Sequence, residues 1–139
     1  MIVLDTNVLS EMMKPKPEAR VVGWVTAQSA TDLYTTSITQ AEILHGLMLL
    51  PPGQRRRALE AAATSMFEDD FEGRILGFGS EVAATYARIA SDRRRSGRAI
   101  AHFDAQIAAI ARVAGAAVAT RNTADFEGCG VTVVDPWES

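Results

Sequence analysis

The sequence predicts an α/β fold: a single unit whose central, mostly parallel sheet carries helices on both faces. Three observations predict it. Short apolar segments of strand character alternate with longer helical segments along the whole chain, the pattern of parallel strands joined by crossover helices. The opening Ile2-Val3-Leu4 has no alternating polar face, as a strand covered on both sides requires. Asp5 follows at its carboxyl end, the edge of an open α/β sheet where ligands bind.

The elements follow in order. A short helix runs from Asp5 to about Met13, and Asp5 and Asn7 are both of the type that caps a helix start. Lys14-Pro-Lys-Pro17 makes a turn, and Pro17 is suited to start a second helix through Ala27. Leu33-Tyr-Thr35 is the second strand. Ser37-Ile-Thr-Gln40 has the capping-box form, Ser with Gln three residues on, and announces a helix to about Leu50 that Pro51-Pro52-Gly53 ends. A helix from Gln54 to about Glu68 and a strand from Arg74 to Leu76 come next. The helix from Ser80 to about Ser96 carries Val82, Tyr86, Ile89 and Ala90 on one face and stops at Gly97. In the helix starting near Ala101, Phe103, Ile107, Ile110 and Ala114 form a stripe. Ala105, Ala108, Ala109 and Ala111 line its other sides, so the whole helix is expected to be largely buried. Val118-Ala-Thr120 is a strand, Asn122 to Phe126 a turn or short helix, and Val131 to Val134 the last strand.

At 139 residues, residues 1–139 are expected to form one domain. The formal charge of −3 excludes nucleic-acid binding through bulk electrostatics alone. Positive charge is nonetheless bunched at Arg55-Arg56-Arg57 and at Arg93-Arg94-Arg95 with Arg98. Arg98 and Arg121 are the candidates for gripping phosphates, whereas Arg93 to Arg95 read as a solvated helix end. A single cysteine, Cys129, excludes an intrachain disulfide and a Cys-based metal cluster, and reads as a space filler. The apolar run Ile107–Ala119 is broken by Arg112 and Gly115 and is shorter than the roughly 20 residues of a membrane span. With no basic segment ahead of the first apolar residues, a cytoplasmic location is expected. His45 and His102 lack the spacing of an acid/base pair and read as polar surface residues or as residues supporting the acids from outside. Trp24 reads as core, and Trp137 as a packing anchor or an interface residue.

Acids gather at one edge. Glu42 lies early in the helix after the second strand, Asp104 at the start of the alanine-rich helix, and Asp125 after the strand that ends at Thr120. Each has a purely structural explanation, since a carboxylate near a helix N-terminus is favoured. For Asp104 that explanation is weakest, because a carboxylate on so apolar a helix needs a cation beside it. Asp and Glu clustered without His or Cys are hard oxygen ligands suited to Mg²⁺ or Mn²⁺, whose chemistry at such sites is phosphoryl transfer.

Leu4-Asp-Thr-Asn-Val-Leu9, Thr39-Gln-Ala-Glu42-Ile-Leu-His-Gly46, Phe103-Asp104-Ala-Gln-Ile-Ala-Ala109 and Ala119-Thr-Arg-Asn-Thr-Ala-Asp-Phe126 together resemble the PIN-domain ribonucleases. The resemblance is to the VapC-type toxins of bacterial toxin–antitoxin pairs, and the closing Val131-Thr-Val-Val-Asp-Pro-Trp137 is similar to their FitB-like subgroup. It implies a Mg²⁺-dependent endoribonuclease, with Mn²⁺ as a substitute, whose products carry 5′-phosphate and 3′-hydroxyl ends. The implied metal ligands and catalytic acids are Asp5, Glu42 and Asp104, with Asp125 as the fourth and Asn122 as an outer ligand. Thr6 and Thr120 would orient water at the same edge. RNA would be the substrate, and a small DNA-binding antitoxin and a second copy of the chain the partners. Two rivals remain. A haloacid-dehalogenase-type phosphatase needs a second Asp two residues beyond the first, where this chain has Asn7. A catalytically weak PIN scaffold would instead act with an antitoxin on operator DNA.

Overall fold

The computed structural model describes residues Met1–Ser139. Five strands, β1 (Ile2–Leu4), β2 (Leu33–Thr36), β3 (Ile75–Leu76), β4 (Ala117–Ala119) and β5 (Val133–Val134), form one sheet in the order β3-β2-β1-β4-β5. Every pairing in it is parallel. The chain builds outward from β1 to β3 and then crosses to the other side of β1 for β4 and β5. The order therefore reverses between β1 and β4, the point at which such sheets open a crevice beyond their carboxyl ends.

Six helices cover the sheet: α1 (Thr6–Met12), α2 (Ala19–Ala27), α3 (Ser37–Met48), α4 (Gln54–Ser65), α5 (Ser80–Arg95) and α6 (His102–Ala114). Successive strand residues point to opposite faces, so each central strand feeds two cores. Val3 and Val118 enter the core under α5 and α6, with Ile89, Ile107, Ile110 and Phe126. Leu4 and Ala119 enter the core under α1 to α4, with Val8, Leu9, Ile43, Leu47 and Phe67. Trp24 and Trp137 both pack at the edge of this second core. α5 ends where expected, and both α5 and α6 are followed by a glycine at positive φ, 77° at Gly97 and 69° at Gly115. No helix is long and apolar enough to cross a membrane.

Several boundaries differ from expectation. α2 starts at Ala19, so Pro17 stays in the turn. There Glu11, buried on α1, takes a hydrogen bond from the Lys14 ammonium at 2.9 Å and one from the Glu18 N–H at 3.0 Å, which fixes the corner. The cap of α3 is Thr36 rather than Ser37. Thr36 is still extended, at φ −124° and ψ 157°, and its side chain accepts from the Thr39 N–H at 3.1 Å, so one residue closes β2 and opens α3. α4 ends at Ser65 in a widened π turn, Met66–Asp70. Phe67 in that turn and Phe71 just after it are both buried in the second core. β3 and β5 are two residues each, shorter than the patterns suggest, as befits the sheet's edges. Phe103 is the clearest correction. It lies in the first turn of α6 and is 53 % exposed, while burial wraps the helix only from Ala105 to Ala111 and Val113 is again exposed.

Candidate active site

Asp5 ends β1 and caps α1 at once. Its N–H continues the sheet to the Ala119 carbonyl at 2.9 Å, and its Oδ1 accepts from the Thr6 N–H at 2.8 Å. Thr120, the residue after β4, donates its hydroxyl to Asp5 Oδ2 at 2.8 Å. Asn7 ties the same two loops together: its amide donates to Thr120 Oγ1 at 3.1 Å and to Asp5 Oδ2 at 3.4 Å, and its Oδ1 accepts from the Arg121 N–H at 3.2 Å. Because neighbouring parallel strands end here, two chain segments 115 residues apart supply one buried hydrogen-bond network. On the other side of Asp5, the Thr6 hydroxyl donates to Glu42 Oε1 at 2.9 Å and lies 3.1 Å from Thr39 Oγ1. Glu42 is thereby fixed against the start of α1. A cavity of about 550 Å³ opens beside these residues, lined by Thr6, Glu42, Ile43, Leu47, Leu50 and Arg55 among others.

Electrostatics links the four carboxylates. Asp5 is only 4 % exposed, and this burial, with Glu42 and Asp125 nearby, raises its pKa against the pull of the Thr120 hydroxyl and Thr6 N–H. Glu42 is raised by burial and by Asp104, opposed by the Thr6 hydroxyl. Asp104 is pushed up to about 6 by burial and by Asp5 and Asp125, with Arg93 acting in the opposite direction. The four acids are thus close enough to repel one another, yet no group of three His, Cys, Asp or Glu side chains closes on a single point that could hold a metal ion.

The PIN-domain family profile matches residues 2–128. The chain belongs to the PIN-domain family. This PIN domain is 42 % identical over 137 residues to "Toxin FitB" of Neisseria gonorrhoeae, covering 99 % of each chain. It is 39 % identical over 138 residues to "VapC ribonuclease Y4jK" of Sinorhizobium fredii, again covering 99 % of each. Among solved structures, it resembles FitAB bound to the IR36 DNA fragment, with a TM-score of 0.93 and 42 % identity. That match covers 99 % of this chain and 96 % of the other.

The remaining expected residues of the PIN domain divide. Asn122 reaches the network through its backbone, whose N–H donates to Thr120 Oγ1 at 3.1 Å, and not through its amide. Arg98 stands at the site's margin paired with Glu127 at 2.7 Å, and Arg121 lies over the Trp137 ring at 5.1 Å. His102 Nδ1 is 2.8 Å from the Tyr86 hydroxyl on the protein's exterior, and His45 is exposed, so neither histidine joins the acids. Arg93, expected in a solvated helix end, is instead buried. Sequence reasoning missed Thr39 and the bridging role of Asn7. Asn7 left a signal, since a side chain two residues beyond a strand-ending acid shares its loop.

Proposed function

We propose that this PIN domain is a divalent-cation-dependent endoribonuclease and the toxin of a toxin–antitoxin pair. The observation that carries the reading is the proximity of Asp5, Glu42, Asp104 and Asp125 at the sheet's switch point, where burial first and neighbouring carboxylates second raise the pKa of Asp5, Glu42 and Asp104. Such a set suits Mg²⁺ or Mn²⁺. The open spacing of the acids fits Mg²⁺ as well, because that ion keeps several waters and takes only one or two carboxylates directly. A divalent cation held there supplies Lewis-acid stabilisation of the scissile phosphate and a water acidic enough to attack at neutral pH.

The chain's own groups do the rest. Thr120 and Asn7 hold the Asp5 carboxylate in one orientation, and Thr6 does the same for Glu42. Arg121, whose N–H is fixed by Asn7, and Arg98 offer cationic groups to RNA phosphates beside the acids. Single-stranded or looped RNA is the substrate. A small antitoxin is the partner, as the FitAB relative on DNA suggests, and the pair binds DNA in the same way. A homodimer and a cytoplasmic location complete the proposal. The phosphatase alternative lacks its second acid, since the Asn7 amide in that place is engaged with Thr120 and Asp5.

Purified protein free of antitoxin, given RNA with Mg²⁺, Mn²⁺ or EDTA, tests this reading. Cleavage with either cation and none in EDTA is expected. Cutting that persists in EDTA removes the metal mechanism. No cutting under any condition, with DNA binding retained alongside the antitoxin, favours the binding scaffold.

A further inference from the structure

Arg93 is 7 % exposed, although Arg94 and Arg95 beside it are open to solvent. It forms none of the protein's four ion pairs. Instead its guanidinium donates to main-chain carbonyls of two separate segments. Nε reaches the Arg98 carbonyl at 2.7 Å, in the link between α5 and α6. Nη1 reaches the Asp125 carbonyl at 2.8 Å and the Glu127 carbonyl at 2.9 Å, and lies 3.6 Å from Cys129 Sγ. Asp125 belongs to the 3₁₀ turn Thr123–Phe126, closed by its own N–H on the Asn122 carbonyl at 3.0 Å.

Burying a guanidinium without a paired carboxylate is expensive, and an apolar side chain of similar volume usually serves packing as well or better. The last turn of α5 offsets part of that cost through its dipole. What an apolar residue cannot do is hold three carbonyls in a fixed fork. One of the three belongs to the residue whose carboxylate meets the acid cluster. The same cation lies close enough to Asp104 to act on it from behind.

We infer that Arg93 is a positioning residue, a clamp on the main chain of the Thr123–Phe126 turn that holds the Asp125 carboxylate toward the acid cluster. The inference rests on the proposed role of Asp125 as a cation-binding acid. Its test separates the two. Mn²⁺ binding to the full-length protein is measured by electron paramagnetic resonance, alongside urea denaturation, for Arg93→Met, Arg93→Lys, Asp125→Asn, the Arg93→Met/Asp125→Asn double variant and Arg94→Met. Arg93→Met and Asp125→Asn are each expected to weaken Mn²⁺ binding about tenfold, as loss of a residue supporting a metal ligand does. The double variant binds no more weakly than Asp125→Asn alone, because both changes act through one carboxylate. Arg93→Lys, which keeps the charge and reaches fewer carbonyls, recovers part of the affinity, and Arg94→Met binds as the wild type does. A merely structural arginine would lower stability and leave these ratios untouched.

Unchanged Mn²⁺ affinity in Arg93→Met, or losses that multiply in the double variant, overturns the clamp. Wild-type affinity in Asp125→Asn overturns the fourth acid itself, and an Arg93→Met loss in that case shows the arginine acting elsewhere. Should Arg93→Met fail to fold, Arg93→Lys alone and with Asp125→Asn carries the same comparison.

Discussion

Asp104 illustrates how a functional group can oppose stability. Burial and the carboxylates of Asp5 and Asp125 raise it from an ordinary carboxylate value to about 6. The folded protein therefore holds the Asp104 proton more tightly than the unfolded chain does. Its contribution is favourable below the unfolded pKa near 4 and is lost as pH rises through about 6. Asp104→Asn should stabilise the protein at pH 7.5 by on the order of 1 kcal/mol, solvent screening at this half-exposed site included, with the gain gone near pH 4. The same variant should abolish RNA cleavage. Urea denaturation at the two pH values, with a cleavage assay, decides it; a variant less stable at pH 7.5 would show the repulsion to be absent. Asp5, Glu42 and Asp104 were legible in the sequence because strand ends and helix starts place them at a known edge. Thr39 was not, because its partner Thr6 is 33 residues away in the chain. Arg93 was hidden for a different reason: an arginine in the last turn of a helix has a sufficient local explanation, and nothing nearby in sequence shows the carbonyls that surround it.

α3 and α6 show where periodicity succeeds and where it stops. Alternation and spacing located both helices to within a residue or two, yet the cap of α3 went to Thr36 because a strand residue can close one element and open the next. Thr36→Ala should cost about 1–2 kcal/mol, whereas Ser37→Ala should stay within about 0.5 kcal/mol. Equal losses in urea titrations would restore the Ser37 box. In α6 the apolar stripe correctly named Ile107 and Ile110, but a stripe does not say where neighbouring elements end. Ile107→Ala should cost about 2–5 kcal/mol, while Phe103→Ala, in the exposed first turn, should change stability by about 0.5 kcal/mol or less. A large loss at Phe103 by the same titration would mean that its ring is covered in solution. The π turn after α4 left no trace in the sequence pattern, which runs on as one helix to about Glu68.

The acids come from β1, α3, α6 and the loop after β4, so the site exists only when the whole sheet is assembled. The alternation of elements was enough to predict a parallel sheet, but its strand order depends on crossovers that periodicity does not encode. With a net charge of −3 and arginines bunched only locally, as at Arg55-Arg56-Arg57 and Arg93-Arg94-Arg95, the molecule has no broad basic surface for a duplex. Looped RNA should be cut and perfect duplex spared, with cleavage falling as salt rises; equal rates on both RNAs would overturn this mode of recognition. The double duty of Asp5 has a genetic consequence. It caps α1 and joins two strand ends, so replacing it should loosen the fold as well as remove an acid of the proposed site. Under the proposed function, replacing Asp104 disarms the protein and relieves the cost of burying that charge. Cells that survive forced expression should therefore keep abundant, folded protein when the lesion is at Asp104 and degraded protein when it is at Asp5. Immunoblots of sequenced survivors would read that difference directly, and under the proposed function such an inert but durable form leaves a lineage able to keep occupying its antitoxin after nuclease activity is lost.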